Sequence, residues 1–245
     1  MTISKIIHYC WFGRKPLPKS ALSCIASWKK FLPDYEIKEW NEDNFDVYAI
    51  PYTKEAYEAK KYAFVSDYAR FKILYEEGGL YFDTDVELIR PLDDIIARGP
   101  FMGCEQDGSD MSCANVNSGL GLGVNPGLGL YQEILSLYGT LHFLNPDGSF
   151  NQKTVVAYVT ELLMRHGLHA VNDVQYCAGV YIYPCEYFCP ISVVDGKMRL
   201  TNRTVSIHHY DQSWQSPVRK YGRKLALKVG GVHLKTYLKR LFHIE

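Results

Sequence analysis

The feature that most constrains this chain is Gly78-Gly79-Leu80-Tyr81-Phe82-Asp83-Thr84-Asp85. A long helical pattern stops at a glycine pair, a short apolar strand follows, and the strand ends in two carboxylates one residue apart. Glycine is a natural stop for a helix, because it adopts backbone conformations that other residues resist. Side chains alternate faces along a strand, so Asp83 and Asp85 are expected on one side, roughly 6–7 Å apart. That span suits two carboxylates approaching one hard cation and a diphosphate bound to it. Mg²⁺ and Mn²⁺ are commonly held by one or two carboxylates together with substrate phosphates. A bare Asp-x-Asp is more often two solvated aspartates at a strand end, so its meaning depends on what surrounds it.

The surroundings read as an α/β sheet domain. Residues 4–8 form a buried strand, with Trp11-Phe12-Gly13 as its exit loop. Residues 18–31 are expected to be helical, with Leu22, Ile25, Trp28 and Leu32 at 3–4-residue spacing, and Pro33 ends the run. Residues 35–40 alternate as a second strand. Residues 54–77 carry one long helical pattern through Tyr57, Lys61, Phe64, Tyr68, Phe71 and Tyr75. Residues 86–89 continue the Asp-x-Asp strand or begin its neighbour. A short helix at 91–98 and a strand at 101–104 come next. The glycine-rich run at 115–127 spaces two glycines like a dinucleotide fingerprint, but its third glycine is misplaced and Pro126 interrupts the helix that should follow. A glycine-rich strand that admits a ligand closely is the better reading. Helices are expected at 128–138 and 154–166, and strands at 181–184, 198–200 and 204–210. Alternating elements first and strand-rich segments later indicate one α/β domain over 1–214.

The remaining residues, 215–245, read as a basic amphipathic helical tail. The chain has 245 residues and a formal net charge of zero, yet this segment holds eight Lys/Arg and one acid, Glu245. Such asymmetry points to an anionic partner, and peripheral contact with a membrane face is one expectation. A tail docked on the domain with a solvated basic face is the other. No apolar run approaches the ~18 residues of a membrane span, and residues 1–12 are too short for a secretory leader. Seven cysteines, an odd number with no C-x-x-C pair, imply free thiols in a reducing compartment, hence a cytoplasmic location. Nucleic acid is not an expected partner.

Four further constellations bear on chemistry. Asp67 and Arg70 lie three apart on one helical face; they are either an ion pair or a hydroxyl acceptor beside a phosphate- or sugar-binding guanidinium. Trp11 leaves the first strand at its carboxyl end, where open α/β sheets bind ligands, and can stack on a nucleobase or fill the core. Asn117 precedes Ser118-Gly119 and can bond sugar hydroxyls or simply mark a turn. His208 and His209 are adjacent on a strand, so only one can join the aspartates; an imidazole there favours Mn²⁺ over Mg²⁺.

Taken together, Lys5-Ile6-Ile7-His8, Trp11-Phe12-Gly13, Ser27-Trp28, Ser66-Asp67-x-x-Arg70, Leu74-Tyr75-x-x-Gly78-Gly79-x-Tyr81-x-Asp83-x-Asp85, and His208-His209 followed by Ser213-Trp214 resemble glycosyltransferase family 32. That family includes bacterial capsule and lipopolysaccharide sugar transferases and fungal mannosyltransferases, and it is related to the glucosylating domains of clostridial toxins. The resemblance implies a GT-A fold, a Rossmann-like nucleotide-sugar-binding mixed sheet flanked by helices, with a nucleotide-sugar donor, UDP-linked, and Mn²⁺ or Mg²⁺. It implies that Trp11 stacks on the base, that Asp67 holds ribose or donor sugar, and that Arg70 contacts donor sugar or phosphate. Asp85 would ligate the metal, Asp83 would bridge ribose and metal, and His208, or alternatively His209, would be the third ligand. Ser213 and Trp214 would close over the β-phosphate, and Asn117 would face a sugar. The acceptor would be a saccharide or lipid-linked saccharide, and transfer would retain the anomeric configuration. Same-face attack by the acceptor and double displacement through a carboxylate both remain open, because no nucleophile is marked. Two rival readings are a haloacid-dehalogenase-type phosphotransferase, whose strand also ends in Asp-x-Asp, and a non-catalytic nucleotide-sugar-binding protein.

Overall fold

The glycine pair stops the helix and starts the sheet because of what lies against it. Gly78 and Gly79 adopt φ of 66° and 95°. A Cβ on Gly78 would fall 2.6 Å from Pro126 Cδ, and one on Gly79 would fall 2.7 Å from the Ile6 carbonyl oxygen. Only glycine meets both the backbone and the steric demand. In the computed structural model, residues 3–107, 114–192 and 196–210 are described; the expected tail at 215–245, the boundary at 214, and Ser213 and Trp214 lie outside them.

In chain order the elements are β1 (Ile6–Cys10), α1 (Lys19–Phe31), β2 (Glu36–Trp40), α2 (Pro51–Glu58), α3 (Tyr62–Glu77), β3 (Gly79–Tyr81), β4 (Val86–Leu88), α4 (Asp93–Arg98), β5 (Phe101–Asp107), β6 (Ala114–Val124), α5 (Gly129–Gly139), α6 (Val155–Arg165), β7 (Gln175–Cys177), β8 (Val180–Tyr183), α7 (Cys185–Phe188) and β9 (Ser206–His208). Seven strands form one sheet in the order β2-β1-β3-β6-β5-β8-β7, and β4 and β9 form a separate antiparallel ribbon. β1 is parallel to β2 and β3, β6 runs antiparallel to both its neighbours, and β8 is parallel to β5. The sheet is therefore mixed, as a GT-A fold requires.

Apolar side chains fill both faces. One face packs Phe71, Tyr81, Tyr131 and Tyr138 under α2, α3, α5 and α6. The other packs Ile7, Trp28, Leu80, Phe82, Phe101 and Phe188 under α1, α4, α7 and the β4–β9 ribbon. The alternation of Leu80, Tyr81 and Phe82 between the two cores is the period-two signature of a strand buried on both sides. Six cysteines are free thiols among the described residues, as expected. No helix among them is long and apolar enough to cross a membrane.

Three sequence expectations are corrected. The helix expected over 54–77 is two helices. At its break the Lys61 amide donates to the Ala56 carbonyl and the Lys60 amide to the Tyr57 carbonyl, with Lys60 at φ 58°. This is the helix-ending pattern usually built on glycine, and a lysine in that position gave no stop signal. Leu22 does not join the apolar face of α1: it is 52% exposed, and Ala21 and Cys24 take the inner positions. Residues 198–200 do not make a strand. Met198 forms one isolated bridge with Ile191, and Met198 and Leu200 stay exposed because no neighbouring strand covers them.

Candidate active site

Asp83 and Asp85 meet in a turn, not along a strand. β3 ends at Tyr81, and the Val86 amide donates to the Asp83 carbonyl at 3.0 Å, which closes residues 83–86 tightly. The expected strand pleat is replaced by this turn. A third group then arrives from β9. Val86 pairs with His208, and the His209 amide donates to the Asp85 carbonyl at 3.0 Å. That register lays the His208 ring against Asp85, with Nε2 3.1 Å from Oδ1. One ligand atom from each of Asp83, Asp85 and His208 lies within 4.8 Å of the others, and no other such trio of His, Cys, Asp or Glu occurs among the described residues. His209, on the opposite strand face, pairs with Glu87 Oε2 at 2.8 Å instead.

The donor set fits a divalent first-row cation. Two carboxylates and an imidazole combine oxygen and nitrogen ligands, which suits Mn²⁺ better than the oxygen-seeking Mg²⁺. His208 is 6% exposed, and its Nδ1 is buried with no hydrogen-bond partner among the described residues. Burial works against an imidazolium there, but the charge and hydrogen bond of Asp85, reinforced by Asp83, outweigh it and raise His208 above its ordinary range. The same concentration of negative charge attracts a cation.

Arg70 lies beneath the aspartates. Its side chain is 4% exposed, and Nη2 sits 3.0 Å from Asp67 Oδ1 and 3.2 Å from Asp83 Oδ1. Nε donates to the Ser66 carbonyl at 3.1 Å and Nη1 to Ser118 Oγ at 3.1 Å. The guanidinium also stacks 5.0 Å from the Tyr81 ring centre, and the Tyr81 hydroxyl donates to Asp83 Oδ1 at 3.0 Å. A charge this buried is stable only when paired and hydrogen-bonded, and here four groups of the chain itself meet it. The structure thus places Arg70 behind the carboxylates, held by groups of the chain itself. Burial pushes Asp67 up to about 7, against the pull of Arg70 and with help from the Asp83 charge.

Asn117 is also turned inward. Its Nδ2 donates to Glu105 Oε2 at 2.8 Å and its Oδ1 accepts from the Gly119 amide at 2.7 Å, so both ends of the amide are used within the protein. It braces β6 beside Asp83. The glycine-rich strand likewise makes room for the chain's own side chains: a Cβ on Gly119 would lie 2.0 Å from Asp83 Oδ2, and one on Gly121 3.1 Å from the Phe82 ring. Trp11 sits apart from this cluster. It follows β1, the strand parallel to β3, donates from Nε1 to the Lys15 carbonyl at 2.6 Å, and lines a cavity of about 430 Å³ with Arg14, Glu39, Asn41 and Asp43. Both cavity and aspartates therefore lie at carboxyl ends of neighbouring parallel strands, where ligands of open α/β sheets bind.

Sequence reasoning missed four members of the site. Tyr81, Ser118, Glu105 and Tyr210 hold, respectively, Asp83, Arg70, Asn117 and Glu105. Only Tyr81 carried a local signal, two residues before Asp83.

Residues 18–102, which contain Asp67, Arg70, Asp83 and Asp85, match the family described as "Glycosyltransferase sugar-binding region containing DXD motif". Over 98 residues, 38% of this chain, the sequence is 32% identical to inositol phosphoceramide mannosyltransferase 3 of Schizosaccharomyces pombe (strain 972 / ATCC 24843), and the match spans about a quarter (27%) of that protein's length. Among solved structures, the PaToxG glycosyltransferase superposes with a TM-score of 0.50 at 17% identity, over 66% of this chain and 69% of that one. A looser likeness, with a TM-score of 0.45 and 14% identity over 89% of this chain and 98% of the other, is to a glycosyltransferase involved in glycosylation of the major capsid of PBCV-1. The GT-A fold and the family resemblance drawn from the motifs are borne out, and the phosphotransferase reading of Asp-x-Asp is set aside.

Proposed function

We propose that this chain, whose residues 18–102 are a glycosyltransferase sugar-binding region of the DXD type, is a divalent-metal-dependent, retaining glycosyltransferase that moves a sugar from a UDP-linked donor to a saccharide acceptor in capsule, lipopolysaccharide or related glycan synthesis. The observation that carries the reading is the convergence of Asp83, Asp85 and His208 at the carboxyl end of β3. Those three residues would hold Mn²⁺. When bound, the cation supplies charge neutralisation of the departing diphosphate.

The chain's own residues do the rest. Arg70 fixes the Asp83 carboxylate through Nη2, while the Tyr81 hydroxyl holds the same oxygen, so the site is organised before any ligand arrives. Asp67, 13% exposed, faces the ribose or donor sugar. Trp11 stacks on the base from the exit loop of β1. The acceptor hydroxyl attacks the anomeric carbon from the face the diphosphate leaves, and its proton passes to a diphosphate oxygen. Support for same-face attack over double displacement is that Asp67, Asp83 and Asp85 are each committed to Arg70 or His208.

The test is a thermal-shift screen of UDP-, GDP-, ADP- and CMP-linked sugars, mannose donors included, with and without Mn²⁺. A donor that binds the native state raises Tm by linkage. A UDP-sugar should stabilise the protein only with Mn²⁺, and Asp85→Ala should lose that response while keeping its own cooperative transition. Equal stabilisation of wild type and Asp85→Ala would remove Asp85 from the site.

A further inference from the structure

The end of β5 carries polar side chains that the reading above does not use. Glu105 accepts hydrogen bonds from Asn117 Nδ2 at 2.8 Å and from the Tyr210 hydroxyl at 3.3 Å. These partners reach the cation cluster from two sides. Asn117 holds the Gly119 amide, which lies under the Asp83 carboxylate, and the Tyr210 ring packs on the His208 ring with centres 4.2 Å apart. Glu105 also lines a cavity of about 190 Å³ together with Gln106, Asp107, Asn172, Arg199 and Thr201. That is room for many water molecules, enough to admit a sugar ring. Gln106 is 8% exposed. Its Oε1 accepts from Asn115 Nδ2 at 2.7 Å, and its Nε2 has no partner among the described residues. A buried amide donor left unmet is costly.

We infer that this cavity receives one ring of the acceptor saccharide and that Glu105 accepts a hydrogen bond from the attacking hydroxyl. The inference rests on the proposed glycosyl transfer. In same-face attack the acceptor hydroxyl must approach the anomeric carbon beside the departing diphosphate, so its ring needs a place next to the cation cluster and clear of the base. The cavity at Trp11 is on the exit loop of β1, whereas Glu105, which lines the other cavity, is hydrogen-bonded to Asn117 and Tyr210, the residues that hold the Gly119 amide and pack on the His208 ring. The lining of that cavity includes carboxylates, amides and hydroxyls beside apolar surface, the combination that meets a sugar's hydroxyls and its C–H face. In the transfer step the hydroxyl oxygen bonds to the anomeric carbon and the sugar–phosphate bond breaks. Its electron pair stays on the diphosphate, and the hydroxyl proton goes to a diphosphate oxygen. The O–H first points to Glu105, which orients the incoming hydroxyl, and turns to the diphosphate oxygen as the sugar–phosphate bond breaks, so Glu105 is unchanged at the end.

The experiment partitions each turnover between water and sugar. Wild type, Glu105→Gln and Asn172→Trp, which fills the cavity from its exposed rim, are given the donor identified by thermal shift, Mn²⁺, and methyl glycosides of glucose, galactose, mannose and N-acetylglucosamine at millimolar concentration. Nucleotide release reports total turnover, and mass spectrometry of the glycosides reports transfer. The expected result is transfer to at least one glycoside by wild type and a fall of about tenfold or more in the ratio of transfer to hydrolysis in both variants, the scale of one lost charge-assisted hydrogen bond. An unchanged ratio in both variants overturns the inference. So does a wild-type protein that hydrolyses donor but glycosylates none of the four. A wild type that neither binds nor hydrolyses any donor overturns the glycosyltransferase reading itself, and this inference with it.

Discussion

A single methyl group on Gly119 tests whether Asp83 is a cation ligand. Gly119 does not occupy the left-handed region, so alanine meets no backbone penalty there. The difficulty is purely one of space: the new Cβ would fall 2.0 Å from Asp83 Oδ2 and 2.8 Å from its Cγ. Since such contacts do not close below 3.0 Å, the carboxylate must retreat by about 1 Å. It is not free to do so, because Oδ1 is held by Tyr81 at 3.0 Å and Arg70 at 3.2 Å. Either those bonds break or the carboxylate swings away from Asp85 and His208. Overpacking of this kind costs about 1–3 kcal/mol, and at about 2–4 °C per kcal/mol for a domain of this size Tm should fall by several degrees. The sharper effect is on the cation, because even disturbing the support of a metal ligand costs about 10–100-fold in affinity. Gly123→Ala is the matched control. It lies on the same strand as Gly119, and its Cβ would fall 2.1 Å from Cε1 of Phe101 on β5, within apolar packing. Titrating Mn²⁺ by electron paramagnetic resonance, with Tm measured alongside, should show both variants destabilised but only Gly119→Ala weakened in Mn²⁺ binding by tenfold or more. Wild-type Mn²⁺ affinity in Gly119→Ala would refute the placement of Asp83 at the cation.

Arg70→Met should cost about 3–5 kcal/mol in urea unfolding, the price of removing one partner from a buried ion pair, because Asp67 and Asp83 lose their shared guanidinium. Arg70→Lys should recover only a minor part, since an ammonium cannot span the Ser66 carbonyl, Ser118 and both aspartates at once; near-wild-type stability of the Met variant would contradict the geometry. His8 is fully buried, and burial, partly offset by the Glu77 charge and the Gly78 carbonyl, depresses it from 6.5 to about 4. A depressed histidine contributes stability above its unfolded pKa and loses it as the pH falls, so between pH 6.5 and about 4 this group should withdraw about 3 kcal/mol. Unfolding free energies across that window should fall more steeply for wild type than for His8→Gln, and parallel curves would sink the assignment. Trp28→Phe removes the buried bond from Nε1 to the Val86 carbonyl at 2.7 Å, and leaving that acceptor unmet should cost about 1–3 kcal/mol by denaturant titration. Loss of stability below a few tenths of a kcal/mol would show that this carbonyl finds another donor.

What could be read from the sequence was local. The glycine pair announced its own conformation, and the runs at 4–8, 80–82 and 101–104 announced strands, which lie in β1, β3 and β5. What could not be read depended on partners distant in the chain. Lys60 ends α2 in a conformation that its identity does not advertise. Whether Arg70 faced a ligand or the core turned on Ser118 of β6, a strand whose position beside β3 no motif records. Asn117 looked like a turn signal until Glu105 and the Gly119 amide took both ends of its side chain.

The choice between His208 and His209 shows the same limit most clearly, and also how the fold resolves it. Alternation along a strand says that one of two adjacent histidines faces the aspartates, but it is silent about which. The answer lies in register. Val86 opposes His208, so the residue that reaches back toward the Asp83–Asp85 turn is fixed by the pairing of two three-residue strands. A slip of one residue would exchange the two imidazoles and bring His209 to Asp85. The register is held from outside the ribbon: Trp28 donates to the Val86 carbonyl, and Ser27 Oγ accepts from the Leu88 amide at 2.9 Å. The Ser27-Trp28 pair on α1 is not itself one of the three candidate ligands, yet it fixes the strand against which the third must align. A motif remote from the chemistry in sequence thereby becomes part of the reason the candidate cation site has its geometry.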